Sequence, residues 1–455
     1  MSGKCFSTDV FARWMDGDLD DRALLLELIA HLAWCCEDCR RAWREAARSR
    51  VPGRGLLAEW HHSATIEGVC GTDAVDQARE RVLKVREEVF SVEAARAPKL
   101  LQSLLAFPVQ EQVGVVQRTR TKYVSLALAQ LLLESAHKVR VCDPRESKRL
   151  AALAREVVKK GQSDRVARAF GKDLLGTAKA LEGNASRLFG EYREAEACFD
   201  SAHRILETGS GDPIVFAELL SYRVSLLLDQ VQLDQAKVVA GQAISIFQKA
   251  GEDHQAGTVL IKKGLIEAGL GVPAQAVKSL GKALELLDAE RDPQMVLITH
   301  KNLALYIGEA GDPARGLEVL EKYRSEEHTP ERIQIFHTWI EGKMRAKLGE
   351  YEVATAALES VRNLFAEQGD APNAAAATLD LALIHAKAGQ LEAVQRVALE
   401  ALPLLLPLDI PDAALAPLIL LEETARAQAV TVTLLQRLQR KLAEPLIWRK
   451  GEQVN

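Results

Sequence analysis

Aromatic residues make up only 5% of this 455-residue chain, and the apolar complement is mostly Ala and Leu, which suits closely packed helices better than a sheet. The seven cysteines are too few and too unevenly placed for a disulfide framework in a chain of this size. No apolar run free of charge and proline reaches the ~18 residues of a membrane span, and no basic stretch followed by an apolar one opens the chain, so a soluble, cytoplasmic protein is expected. Neither sign of charge dominates. A net charge of −5 and a pI near 6.1 give no global attraction for nucleic acid or an anionic membrane. The phosphate loop G-x-x-x-x-G-K-[ST], the G-x-S-x-G elbow and the H-E-x-x-H helix are all missing, so no enzyme is expected.

What the chain does have is a repeat. The stretch LEGNASRLFGEYREAEACFDSA places Gly183, Ala195 and Ala202 where two helices must touch, ends the first helix on Gly190, and turns Phe199 back into the pair. The pattern returns with Gly264, Gly271, Ala276, Leu280 and Ala283, and again with Ala304, Gly311, Gly316 and Leu320. Further copies are Gly342, Gly349, Ala354, Leu358 and then Ala382, Gly389, Val394, Ala398, Ala401. A weaker copy, Val224, Ala236, Ala240 and Ala243, carries Val231 where the turn glycine should stand. The period is about forty residues, and self-similarity at that length means helix pairs that bury their apolar faces only against a neighbour. Small residues at the contacts let helices approach closely.

This run, small–x6–Gly–x4–Ala–x3–apolar–x2–Ala, resembles tetratricopeptide repeats over residues 179 to 402. The resemblance implies an all-α fold, a right-handed superhelical solenoid of helix pairs, whose first helices line a concave inner surface. By position, that surface would carry Asn184, Arg187, Ser221, Ser225, Lys301, Trp339 and Lys343. The charged members are basic, so an acidic peptide or carboxylate-bearing segment is the expected guest.

The N-terminal end reads differently. Residues 1–50 hold short helical patterns with Val10, Phe11, Trp14 and then Leu24, Leu25, Ile29, Leu32, separated by the Asp16-Gly17 turn. Cys36 and Cys39 have the C-x2-C spacing that presents two thiolates to one zinc ion. His31 ends the preceding helix, and Cys5 is a fourth donor. The arrangement resembles the zinc-binding anti-sigma-factor domain, and the resemblance implies a structural zinc ion held by Cys5, His31, Cys36 and Cys39. His31 to Cys36 is H-x4-C, one residue longer than the family pattern; Cys35 keeps H-x3-C but spoils C-x2-C, so either cysteine is open as the ligand. A calcium loop on Asp16, Asp18, Asp20 and Glu27 is disfavoured, because Asp21 stands where that loop needs glycine. His61, His62 and Cys70 have no C-x2-C partner and read as ordinary polar residues.

The expected organisation is a zinc-binding helical domain at 1–50, a glycine-bearing linker at 51–80, and degenerate helix pairs at 81–178. The repeat array at 179–402 and proline-broken capping helices at 403–455 follow. Within the array, Arg332 and His337 have the R-x4-H spacing of HEPN-type helical ribonucleases, but Ile333 follows the arginine where that family favours a polar residue. The expectation is therefore a non-enzymatic bacterial interaction protein. Its zinc module would grip a sigma factor or other transcription component, and its array would hold a protein partner. An adaptor or sensor controlling a protease or nuclease effector is the alternative.

Overall fold

The computed structural model describes residues 93–119, 121–160, 165–323 and 331–405, together with Ser7, Val10, Leu435 and Gln436. The expected zinc ligands Cys5, His31, Cys36 and Cys39 lie outside these residues. The fold is all-α: among the described residues there are sixteen helices and no strand.

In chain order they are α1 (Ala97–Leu105), α2 (Val109–Arg118), α3 (Leu126–Val139), α4 (Pro144–Lys160), α5 (Arg165–Leu188) and α6 (Tyr192–Leu206). Then follow α7 (Pro213–Asp229), α8 (Leu233–Lys249), α9 (Asp253–Gly269), α10 (Pro273–Leu286) and α11 (Pro293–Glu309). The last are α12 (Pro313–Lys322), α13 (Glu331–Lys347), α14 (Tyr351–Glu367), α15 (Ala371–Lys387) and α16 (Leu391–Leu405). The chain divides into two compact units that meet in sequence between Thr299 and His300, inside α11.

Local chemistry sets the helix boundaries. Proline occupies the first turn of α1, α7, α10, α12 and α15, where its missing N–H costs nothing. Asp212, Asp312 and Asp370 accept a backbone N–H two or three residues ahead, capping α7, α12 and α15. At the far end of each first helix the chain closes with the same hydrogen bond. The amides of Glu191, Gln232, Val272, Asp312, Glu350 and Gln390 donate to the carbonyl five residues back. That closure needs the intervening residue in the left-handed region, which glycine enters without a Cβ penalty. Gly190, Gly271, Gly311, Gly349 and Gly389 have φ between 74° and 111°, and Val231 does the same work at φ 57°.

Packing follows the small-residue pattern. In the first unit, Ala195, Phe199 and Ala202 are wholly buried. A Cβ on Gly183 would lie 2.7 Å from the Phe199 ring, so α5 and α6 touch there only because position 183 has no side chain. The same core takes in Leu128 and Leu132 of α3, Leu153 of α4 and Leu181 of α5. Residues 97–160 are thus helices docked on the first full repeat pair. In the second unit, Leu358, Phe365, Leu379, Ala382 and Ala398 form one core. Ala304, Leu320, Ile340 and Met344 form another.

Candidate interaction surface

Each unit's first helices lie beside one another, and equivalent positions on neighbours are about one period apart in sequence. Side chains at that separation meet. In the first unit, Arg187 at the end of α5 forms an ion pair of 2.9 Å with Asp229 at the end of α7, and both side chains are almost fully buried. Asn184 accepts a hydrogen bond from the same guanidinium at 3.1 Å. One helix further on, the Lys262 ammonium of α9 donates to the Ser221 carbonyl at 2.9 Å and to its hydroxyl at 3.1 Å. Ser225 is buried and bonds back to the Ser221 carbonyl within α7.

The second unit repeats the arrangement with an aromatic wall. The Trp339 indole N–H of α13 donates to Asp380 of α15 at 2.6 Å, and the Lys343 ammonium lies 3.7 Å from the same carboxylate. Arg332, at the start of α13, pairs with Asp370 at 2.8 Å, and Asn373 donates to that carboxylate as well. Phe336 stacks on Trp339, with ring centroids 5.8 Å apart. Over the Phe336 ring sits the Lys301 ammonium of α11, 4.4 Å from its centroid.

These environments tune the charges. Burial opposes the Lys343 charge, but Asp380 and Glu309 outweigh it and hold the ammonium above the usual lysine value. Lys301 lacks such help. Burial, reinforced by Arg332, pushes it down to about 8. In the first unit, burial with Arg140 and Arg291 drives His137 down to about 3, so it stays neutral where it bonds the Tyr222 hydroxyl at 3.1 Å. On α7, burial and then Asp212 raise Glu218 to about 7.

No family model matches the chain, and no curated protein does. Solved structures do. A Rap protein complexed with competence and sporulation factor superposes with a TM-score of 0.52 at 12% identity, covering 69% of this chain and 85% of that one. Aspartyl phosphate phosphatase F from Bacillus subtilis gives 0.48 at 10% identity, covering 89% and 96%. A signal transduction ATPase with a tetratricopeptide repeat sensor, from Pyrococcus horikoshii, gives 0.47 at 14% identity, covering 98% and 66%. The first likeness establishes a shared fold.

The seven residues expected on the first-helix face lie on first helices; Arg187, Ser221, Lys301, Trp339 and Lys343 meet a neighbouring first helix, whereas the bonds of Asn184 and Ser225 stay within their own helices. Asn184, Arg187 and Ser225 are buried, with their polar atoms engaged inside the array. Lys301, Trp339 and Lys343 come together with Phe336 in the second unit, while Ser221 sits with Lys262 in the first. Asp229, Lys262, Phe336, Asp370 and Asp380 were not singled out from sequence. The available signal was an opposite charge about one period away: Arg187 and Asp229 are 42 residues apart, Arg332 and Asp370 38. Arg332 and His337 share α13, but five residues of helix turn them about 140° apart. His337 is buried, and Arg332 is held by Asp370. Among the described residues no group of three or more His, Cys, Asp or Glu could hold a metal ion, and no helix is long and apolar enough to cross a membrane.

Proposed function

We propose that this chain is a non-enzymatic regulatory scaffold that binds a protein partner along the first-helix face of its repeats. The observation that carries the reading is the clustering of Lys301, Phe336, Trp339 and Lys343 on adjacent first helices. Basic and aromatic groups of that kind suit an extended polypeptide bearing acidic residues. The Rap protein of the same fold is complexed with competence and sporulation factor, which supports reading the present chain as a binder as well.

The N-terminal cysteines extend the proposal. Three thiolates and an imidazole from Cys5, Cys36, Cys39 and His31 fit the donor preference of a structural zinc ion. Bound there, zinc would cross-link the first fifty residues into a module able to grip a sigma factor or another transcription component. The placement of the charged cluster in the repeats favours a second reading, in which the array itself governs an effector protease or nuclease.

Affinity capture from native lysate separates them, using the full chain and a chain lacking residues 1–50, with zinc quantified in the former. A sigma factor retained only by the full, zinc-loaded chain supports the knuckle as the gripping element. The same non-sigma partner on both chains moves the function to the array. Failure of both chains to retain any protein refutes the interaction reading.

A further inference from the structure

The acidic total of the chain hides a basic segment. Residues 94–180 hold 17 Lys and Arg against 7 Asp and Glu, a net of +10, which leaves −15 for the rest. The fold gathers part of that excess at one corner of the first unit. Arg96 and Lys99 stand at the start of α1, Arg118 ends α2, and Lys122 lies in the connection to α3; all four are exposed. Hydrogen bonds join these places into one surface. The Lys122 ammonium donates to the Ser103 hydroxyl of α1, one turn beyond Lys99, at 3.2 Å. At the end of α4, the Lys160 ammonium donates to the carbonyls of Val116, Gln117 and Thr119, tying the end of α2 and the following connection to α4. Among the described residues no carboxylate pairs with Arg96, Lys99, Arg118 or Lys122; Arg118 bonds the Gly114 carbonyl and Lys122 the hydroxyl. The acids at this corner are already engaged. Glu93 accepts the Ser125 hydroxyl and the Ala127 amide at the start of α3, and Glu156 is held by Lys159 and Gln117.

We propose that this corner docks the phosphate backbone of duplex DNA through Arg96, Lys99, Arg118 and Lys122, without reading its sequence. Four exposed cations bonded only to neutral acceptors, or to none, suit a polyanion whose charges lie at regular intervals. A protein partner draws its affinity from apolar anchors, and Tyr123, the aromatic residue among these cations, is only 2% exposed. The same burial leaves no ring at this place on which the bases of a single strand could stack. A lipid surface calls for apolar side chains beside the cations. The exposed Leu105, Phe107 and Val109 instead cluster at the α1–α2 connection, at the opposite helix ends from Lys99 and Arg118. Duplex RNA is held across two successive minor grooves, and helices of nine and ten residues, about 14 and 15 Å long, are too short for that span. The proposal is independent of the first-helix face, which lies on other residues.

The test uses the full chain and fluorescein-labelled DNA duplexes of two unrelated sequences, with binding read by fluorescence anisotropy between about 50 and 200 mM NaCl. Both duplexes should bind alike. Four phosphate contacts predict a slope of log affinity against log salt of about −3.6, a loss of roughly a hundredfold over that range. Lys99→Gln with Lys122→Gln should bring the slope to about −1.8 and the loss to roughly tenfold. Lys99→Arg with Lys122→Arg keeps both charges and should bind as wild type does. Lys278→Gln with Lys282→Gln removes the same charge from exposed sites on α10 of the same unit and should leave the slope unchanged. Duplex RNA of the same sequence and the single DNA strand should bind more weakly. Absence of binding at the lowest salt overturns the proposal, as does an equal effect of the α10 pair, which would make it a matter of net charge alone. Duplex RNA or single-stranded DNA bound as tightly as the duplex removes duplex DNA as the occupant. So does capture by equimolar phosphatidylcholine–phosphatidylserine vesicles that is tighter than DNA binding and lost with Lys99→Gln and Lys122→Gln. Failure to retain any protein from lysate would remove the protein-binding reading and leave the DNA surface standing if the slopes behave as stated.

Discussion

Val231 offers a test of the turn chemistry that sets the repeat. It is the one described non-glycine residue with positive φ, at 57°. Its amide and that of Gln232 donate to Leu228 and Leu227 at 2.9 and 2.8 Å, as the corresponding amides do around Gly271. A left-handed conformation costs an L-residue ~1–2 kcal/mol, and a β-branched residue is a poor occupant of that region. Glycine removes the strain but gives back ~0.5–1 kcal/mol through the freer unfolded chain. The valine side chain is 36% exposed, so its remaining contacts count against a direct Val231→Gly comparison. Val231→Ala corrects for this: it loses the methyls and keeps the strain. Val231→Gly should therefore exceed Val231→Ala by ~1 kcal/mol, seen as about fivefold slower hydrogen exchange in the α7–α8 turn. Hydrogen exchange suits a chain of two units better than a single melting temperature, which presumes one transition. Equal exchange in the two variants would refute the claim that Val231 holds a strained turn.

Four further outcomes follow, three from buried groups and close contacts and one from open space. Arg187→Met leaves the Asp229 carboxylate buried without its ion pair and should cost about 3–5 kcal/mol, while Arg187→Met with Asp229→Leu should recover most of the loss in urea unfolding. Burial raises Asp173 to about 6, although its carboxylate accepts the Ser210 amide at 3.0 Å. The folded form therefore holds the proton more tightly; that stabilisation is complete below about pH 4 and fades as pH rises through 6. Asp173→Asn should match wild type at pH 4 and exceed it by on the order of 2–3 kcal/mol at pH 8, measured by denaturant midpoints at both. Gly183→Val forces a side chain into the Phe199 ring and should lose at least about 1–3 kcal/mol. Gly241→Ala, on an exposed stretch of α8 with open space around it, should gain about 0.5–1 kcal/mol.

The repeat was legible because its cause is local. A turn glycine, a capping aspartate with proline beside it, and small residues at helix contacts are all read within one pair. Val231 was recognisable as the misfit in its copy for the same reason. Inter-helix chemistry was less legible. Arg187 looked like a candidate for the first-helix face, and it is there, yet its guanidinium is buried against Asp229. Nothing near residue 187 in sequence announces an acid 42 positions later.

The sequence by itself determined the class of fold, the phase of the helix pairs and the residues at their contacts. These depend on backbone conformation and on side-chain volume one turn away. Only the tertiary structure decided which charged groups on the described first helices are met by a carboxylate. That depends on how successive pairs stack, since a carboxylate one repeat along neutralises Arg187, Arg332 and Lys343, whereas Lys301 meets an aromatic ring instead.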